Sequence, residues 1–101
     1  MTFRVIFEAE AEAELNEAIA WYDLQTDGVG QKFSREIHAT LHEAVKDPQR
    51  FSFAGPTTQK IKMFGWPYSI YFTLLEDSGQ LIVVSVFHGS RNPAELRRRL
   101  K

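Results

Sequence analysis

The sequence predicts an α+β fold: an N-terminal strand, an antiparallel helical hairpin, and a three-stranded antiparallel meander, with the helices on one face of the sheet. Three observations carry that expectation. Apolar spacing changes from alternating to helical near Glu8, the turn-forming TDGVG at residues 26–30 divides the helical stretch, and every apolar run after Pro48 is strand-like. At 101 residues the chain is long enough for one core and too short for two, so residues 1–101 form a single domain.

In chain order, FRVIF at 3–7 alternates Phe3, Val5 and Phe7 on one side, as a covered strand does. Ala11, Leu15, Ala18, Ile19 and Tyr22 then share one helical face, while Glu8, Glu10 and Glu12 sit where a helix N-terminus favours negative charge. This first helix ends near Gln25. Gly28 and Gly30 allow the turn, and a second helix aligns Phe33, Ile37, Leu41, Ala44 and Val45 until Pro48 stops it. So short a connection makes an antiparallel hairpin. QKIKM at 59–63 and YSIYFTLL at 68–75 alternate, EDSGQ at 76–80 reads as a hairpin turn, and LIVVSVF at 81–87 is apolar on both sides, as a central strand is. PAELRRRL adds a last helical turn.

Composition narrows the function classes. The chain has no cysteine, which removes disulfides, thiol catalysis and thiolate metal sites. No leader-like segment or membrane-length apolar run is visible, so a cytoplasmic protein is expected. The formal net charge of −1 conceals a split: residues 1–50 sum to −5 and residues 51–101 to +4. The second half is therefore the side expected to meet an anion or an acidic protein, with a solvated tail as the plain alternative. Alternation places Lys60, Lys62, Ser69 and Tyr71 on the sheet face away from Ile61, Met63, Ile70 and Phe72. That face is basic, aromatic and hydroxylated, and it awaits water, the C-terminal tail or a partner.

Several constellations invite chemistry. His38 and His42 are one helical turn apart, but no third ligand joins them in the pattern, and neither a metal site nor a cofactor is expected. Ser85, Ser90 and His88 lack the G-x-S-x-G setting of a hydrolase, and GPTTQK lacks Walker spacing. Trp21 and Leu24, with Ala13 and Ala20, form a second apolar strip on the first helix. The expectation is a broad core stripe under the sheet; the alternative is an exposed patch for a partner. Trp66, in the strand entry GWPY, is expected as a lid on the core end rather than a stacking platform for a base. His88, Lys60, Lys62 and Arg91 include the base and cations that RNA cleavage requires. Against that, His88-Gly89 can simply end the strand while Arg91 forms a salt bridge or cap.

Taken together, FEAEAEAEL, AWYDLQ, GVGQKF, DPQRF, WPYSIYF and VFHGSRNP resemble, in order and spacing, the RelE/ParE toxin superfamily, most closely its ParE-type branch. Two local departures are Glu8-Ala9, where His-Pro or Ser-Pro is common, and Met63-Phe64-Gly65, where an arginine-rich run is common. The resemblance implies the toxin half of a type II toxin-antitoxin pair, in a hetero-oligomer with a ParD-like antitoxin whose C-terminal segment folds onto the toxin. Candidate antitoxin-binding residues are Trp21, Leu24, Lys60, Lys62 and Tyr71. Candidate target-binding residues are Trp66, Arg91, Arg97, Arg98 and Arg99. A ParE-like toxin inhibits DNA gyrase without a recognised active site, whereas a RelE-like one cuts mRNA on the ribosome. For the latter the candidate catalytic set is Lys60, Lys62, His88 and Arg91. Ser69 stands where the RelE pattern has an arginine and the tail has no tyrosine, which argues against an intact ribonuclease. An inactive remnant that only binds its antitoxin is the third reading.

Overall fold

A computed structural model describes residues 3–100. The elements are β1 (Arg4–Phe7), α1 (Ala9–Gln25), α2 (Val29–Ala44), a 3-10 turn (Pro48–Arg50), β2 (Thr58–Lys62), β3 (Tyr68–Leu75), β4 (Gln80–His88) and α3 (Pro93–Arg97). The sheet order is β1-β4-β3-β2. β2, β3 and β4 form the expected antiparallel meander. β1 pairs parallel with β4, Val5 opposite Leu81 and Phe7 opposite Val83, so the sheet is mixed rather than purely antiparallel. A parallel pair needs a long crossover, and the α1–α2 hairpin supplies it.

The hairpin is closed by backbone geometry. Gly28 has φ +86°, and at Gly30 any Cβ would lie 2.2 Å from the Ile19 carbonyl oxygen. Only a glycine lets α2 approach α1 that closely. The Gly30 N–H also donates to Asp23 Oδ1 at 2.7 Å, joining the start of α2 to the end of α1.

One face of the sheet and the hairpin share the main core: Ala11, Leu15 and Ala18 from α1, Phe33, Ile37 and Leu41 from α2, and Ile61, Ile70, Phe72, Leu81, Val83 and Val86 from the strands. Phe33 and Ile37 are completely buried, each contributing about 1.5–3 kcal/mol by leaving water. The opposite face is partly covered by the C-terminal segment, where Leu96 of α3 packs on Tyr71 and Phe87. α3 starts cleanly: Pro93 occupies its first turn and Asn92 Oδ1 accepts the Ala94 N–H at 3.0 Å. No helix among the described residues is long and apolar enough to cross a membrane.

Candidate functional site

One irregularity in β4 decides which side chains meet. Tyr71 opposes Ser85 and Phe72 opposes Val83, so Val84 is an extra residue, a β-bulge. Before it, Leu81 and Val83 face the helices; after it, Val86 does. His88 follows the same phase. It pairs with Tyr68, whose ring contacts Phe33 of α2 at 5.0 Å between centroids, and it lies edge-on to Tyr68 at 4.9 Å. Ser85 and Phe87 are turned to the other face, beside Tyr71.

β1 ends opposite Val83, leaving the later part of β4 with an unpaired backbone edge. Side chains satisfy it. Glu14 of α1 accepts from the Val86 N–H at 3.1 Å and from Ser85 Oγ at 2.8 Å. Arg99 donates to the Val84 carbonyl at 2.6 Å and to Glu14 Oε2 at 2.9 Å. Arg91 donates to the same Glu14 carboxylate and to Glu95 Oε2, with its guanidinium 4.4 Å from the Phe87 ring centroid. Burial pushes the Glu14 pKa up, but hydrogen bonds from Arg99, Arg91 and Ser85 and the nearby Arg99 charge outweigh it and hold the carboxyl below the usual carboxylate range. Both guanidinium pKa values are raised: for Arg91 by its bonds to Glu95 and then Glu14, for Arg99 first by its bond to Glu14. Glu14 thus ties α1, the bulged edge of β4 and the C-terminal segment together.

Beside this junction lies a cleft of 410 Å³ between α1 and the ends of β3 and β4, with Glu17, Trp21, Tyr22, Tyr68, His88 and Arg91 among its walls. His88 Nδ1 accepts the Ser90 N–H at 2.9 Å and lies 2.8 Å from Ser90 Oγ. With Nδ1 accepting from the backbone, the neutral ring carries its proton on Nε2. Tyr68 has a raised pKa, first through burial and then through Tyr22.

The residues singled out from sequence fall into separate groups. Lys60 and Lys62 are exposed, opposite Tyr71 and Ser69 on the face away from the helices. His88 is on the helix face, so the sheet separates it from both lysines, and the four-residue ribonuclease set does not converge. Arg91 and Arg99 are held by Glu14, whereas Arg97 and Arg98 are exposed. Tyr71 is 7% exposed because the C-terminal segment covers it, although Lys60 Nζ remains 5.8 Å from its ring centroid.

Trp21 and Leu24, expected as part of a broad core stripe, are instead 56% and 83% exposed. At about 100° per residue, Trp21 stands roughly 90° and Leu24 roughly 150° from the centre of the Ala11/Leu15/Ala18/Tyr22 face, too far round to join the core under the sheet. Trp66 is the core lid. It packs edge-on to Tyr22 at 5.0 Å and tilted against Phe33 at 4.9 Å between centroids, and donates Nε1–H to Glu36 Oε1 at 2.8 Å, so its ring is not offered as a stacking platform. His38 and His42 are exposed, His38 Nδ1 bonding the Ser34 carbonyl, and no cluster of three metal-ligating side chains occurs among the described residues.

Sequence reasoning overlooked Glu14. The available signal was its position, three residues after Ala11 and four before Ala18 on the buried face, where a carboxylate requires cationic partners.

A mixed four-stranded sheet with a helical hairpin packed on one face is the fold of RelE- and ParE-type toxins. A chain of the chromosomal ParDE system from P. aeruginosa superposes with TM-score 0.73 and 12% identity, covering 86% of this chain and 96% of that one. A mutant E. coli RelE toxin in the free state gives TM-score 0.69 and 16% identity over 99% and 95% of the two chains. The same RelE mutant bound to an antitoxin RelB peptide gives 0.53 and 18% identity over 100% and 97%. No curated protein sequence matches significantly. The chain belongs to the ParE toxin family, described as the ParE toxin of the type II toxin-antitoxin system parDE, whose model matches residues 5–93.

Proposed function

We propose that this toxin acts in the cytoplasm by binding and inhibiting DNA gyrase, and that a cognate ParD-like antitoxin neutralises it within a hetero-oligomer. The observation that carries the reading is the division of the candidate ribonuclease set. A base on the helix face of the sheet cannot deprotonate a hydroxyl whose phosphate is held by lysines on the other face, because proton transfer requires hydrogen-bond reach. Ser69, between Lys62 and Phe87 in the sheet register, supplies no guanidinium to that lysine face. Family membership favours the same reading.

The antitoxin segment would cover Trp21 and Leu24 and enter the neighbouring cleft. Large exposed apolar residues beside an aromatic-walled hollow suit a segment that folds on binding. Lys60 and Lys62, on the opposite face, are within its reach only if it continues around the sheet edge. The exposed side chains of Arg97, the last residue of α3, and Arg98, which follows it, remain candidates for contacting the target. Purified toxin added to gyrase and relaxed plasmid should block supercoiling, and pre-incubation with antitoxin should restore it. Supercoiling that proceeds unchanged at micromolar toxin would refute the proposal.

A further inference from the structure

The turn between β2 and β3 presents the most exposed large apolar side chain of the described residues, Phe64, at 97% exposure. Its surroundings are fixed from both sides. Gly65 takes φ +81°, the Met63 N–H donates to the Tyr68 carbonyl at 3.0 Å, and Gly89 N–H donates to the Pro67 carbonyl at 2.8 Å. Trp66, two residues on, is anchored in the aromatic cluster and bonded to Glu36. Phe64 stands as a ridge between two hollows of 480 and 390 Å³, with Lys62 in the wall of both and Arg50 in the wall of the second. An aromatic ring held out by an ordered turn loses little freedom on docking, which is the setting in which one residue dominates an interface.

We propose that Phe64 and its two flanking hollows engage the toxin's protein target, with the ring entering an apolar slot rimmed by carboxylates that face Lys62 and Arg50. This rests on the reading of the chain as a toxin acting on a protein, but not on that protein being gyrase. Charge selects the class of partner. Duplex DNA carries a negative charge about every 1.7 Å and needs many cations at once, whereas the walls of the two hollows hold only Lys62 and Arg50, with the Glu43 carboxylate beside them. One or two carboxylates beside an apolar slot match the two cations present. The surface is also distinct from the Trp21/Leu24 strip. Phe64 borders the α2 residues Ala39, Thr40 and Glu43 at the β2 edge, while Trp21 borders His88 at the end of β4.

The test uses inducible expression of the full chain in a bacterial host, scored by the inducer level that halves colony formation at matched protein level. Phe64→Ala should raise that level by about ten-fold or more, Phe64→Trp should retain arrest, and Lys62→Glu should weaken it. Melting curves of purified Phe64→Ala should match the wild type, because the ring touches little. Arrest by Phe64→Ala equal to wild type would overturn the proposal, as would a wild-type chain that causes no arrest. Binding of a fluorescent DNA duplex at about 0.15 M salt that Phe64→Ala abolishes would overturn it too, by replacing the protein partner with DNA. Arrest that depends on Phe64 while gyrase stays active would refute the gyrase reading and leave this one standing.

Discussion

Replacing Glu14 with alanine should do more damage than its place among five glutamates near the N-terminus suggests. The change strips the Val86 N–H and the fully buried Ser85 hydroxyl of their acceptor, each a loss of order 1–3 kcal/mol where water cannot substitute. It also leaves Arg91 and Arg99 adjacent without their shared counter-charge. Removing one partner of a fully buried pair costs about 3–5 kcal/mol. Here the arginine side chains are 35% and 17% exposed and keep contacts to Glu95 and Glu10, so the ionic part falls well below that range. These contributions overlap, and the expected total is about 3 kcal/mol, a large share of a stability of about 5–15 kcal/mol. Urea denaturation at pH 7 followed by far-UV circular dichroism would measure it, and melting should fall by roughly 12–24 °C. A loss under about 1 kcal/mol would show that the junction is a surface ion pair of no consequence and refute the reasoning.

Three further outcomes follow from the same structure. Because the folded Glu14 pKa lies below its unfolded value, its stabilisation is complete above about pH 4.3 and is lost as pH falls through the folded value. The wild type should therefore lose stability more steeply below about pH 4.3 than Glu14→Gln does, as paired acid titrations of unfolding free energy would show. Gly30→Ala drives a methyl into the Ile19 carbonyl and should cost at least about 1–3 kcal/mol by parting the hairpin, read as a lowered melting temperature. Trp66→Phe keeps most of the ring packing but leaves Glu36 without its donor, and should cost about 1 kcal/mol in urea denaturation.

The secondary structure was largely legible, because each element carries its own period and punctuation. The pattern predicted a first helix ending near Gln25, and α1 ends there; Gly28 opens α2 as a turn glycine should. β2 and β4 differ from the predicted strands by a single residue at their ends, within the ordinary fraying of strand boundaries. The parallel pairing of β1 with β4 was not legible, since nothing local in FRVIF records which strand it will meet.

The site was harder to read for two reasons of geometry. Val84 bulges, and a single extra residue reverses the facing of everything after it. Strict alternation from Leu81 and Val83 would send His88 to the lysine face and gather the ribonuclease candidates together; the bulge sends it to the helices. LIVVSVF is apolar throughout, so its pattern contains no cue for that shift. The second reason is rotation around α1. Trp21 and Leu24 have the spacing of a widened core stripe, but the α1 residues that join the core lie along the arc centred on Ala11, Leu15, Ala18 and Tyr22. Glu14, on the flank of that arc, takes the polar role that the pattern gave to His88 and the C-terminal arginines.

The central claim is that the toxin acts by binding and not by cutting RNA. Sequencing of transcript 5′ ends from cells arrested by the wild-type chain tests it most directly. Transcripts with the same ends as in uninduced cells are predicted. New cleavage ends within coding regions, lost when His88 or Lys62 is replaced by alanine in a folded protein, would contradict it.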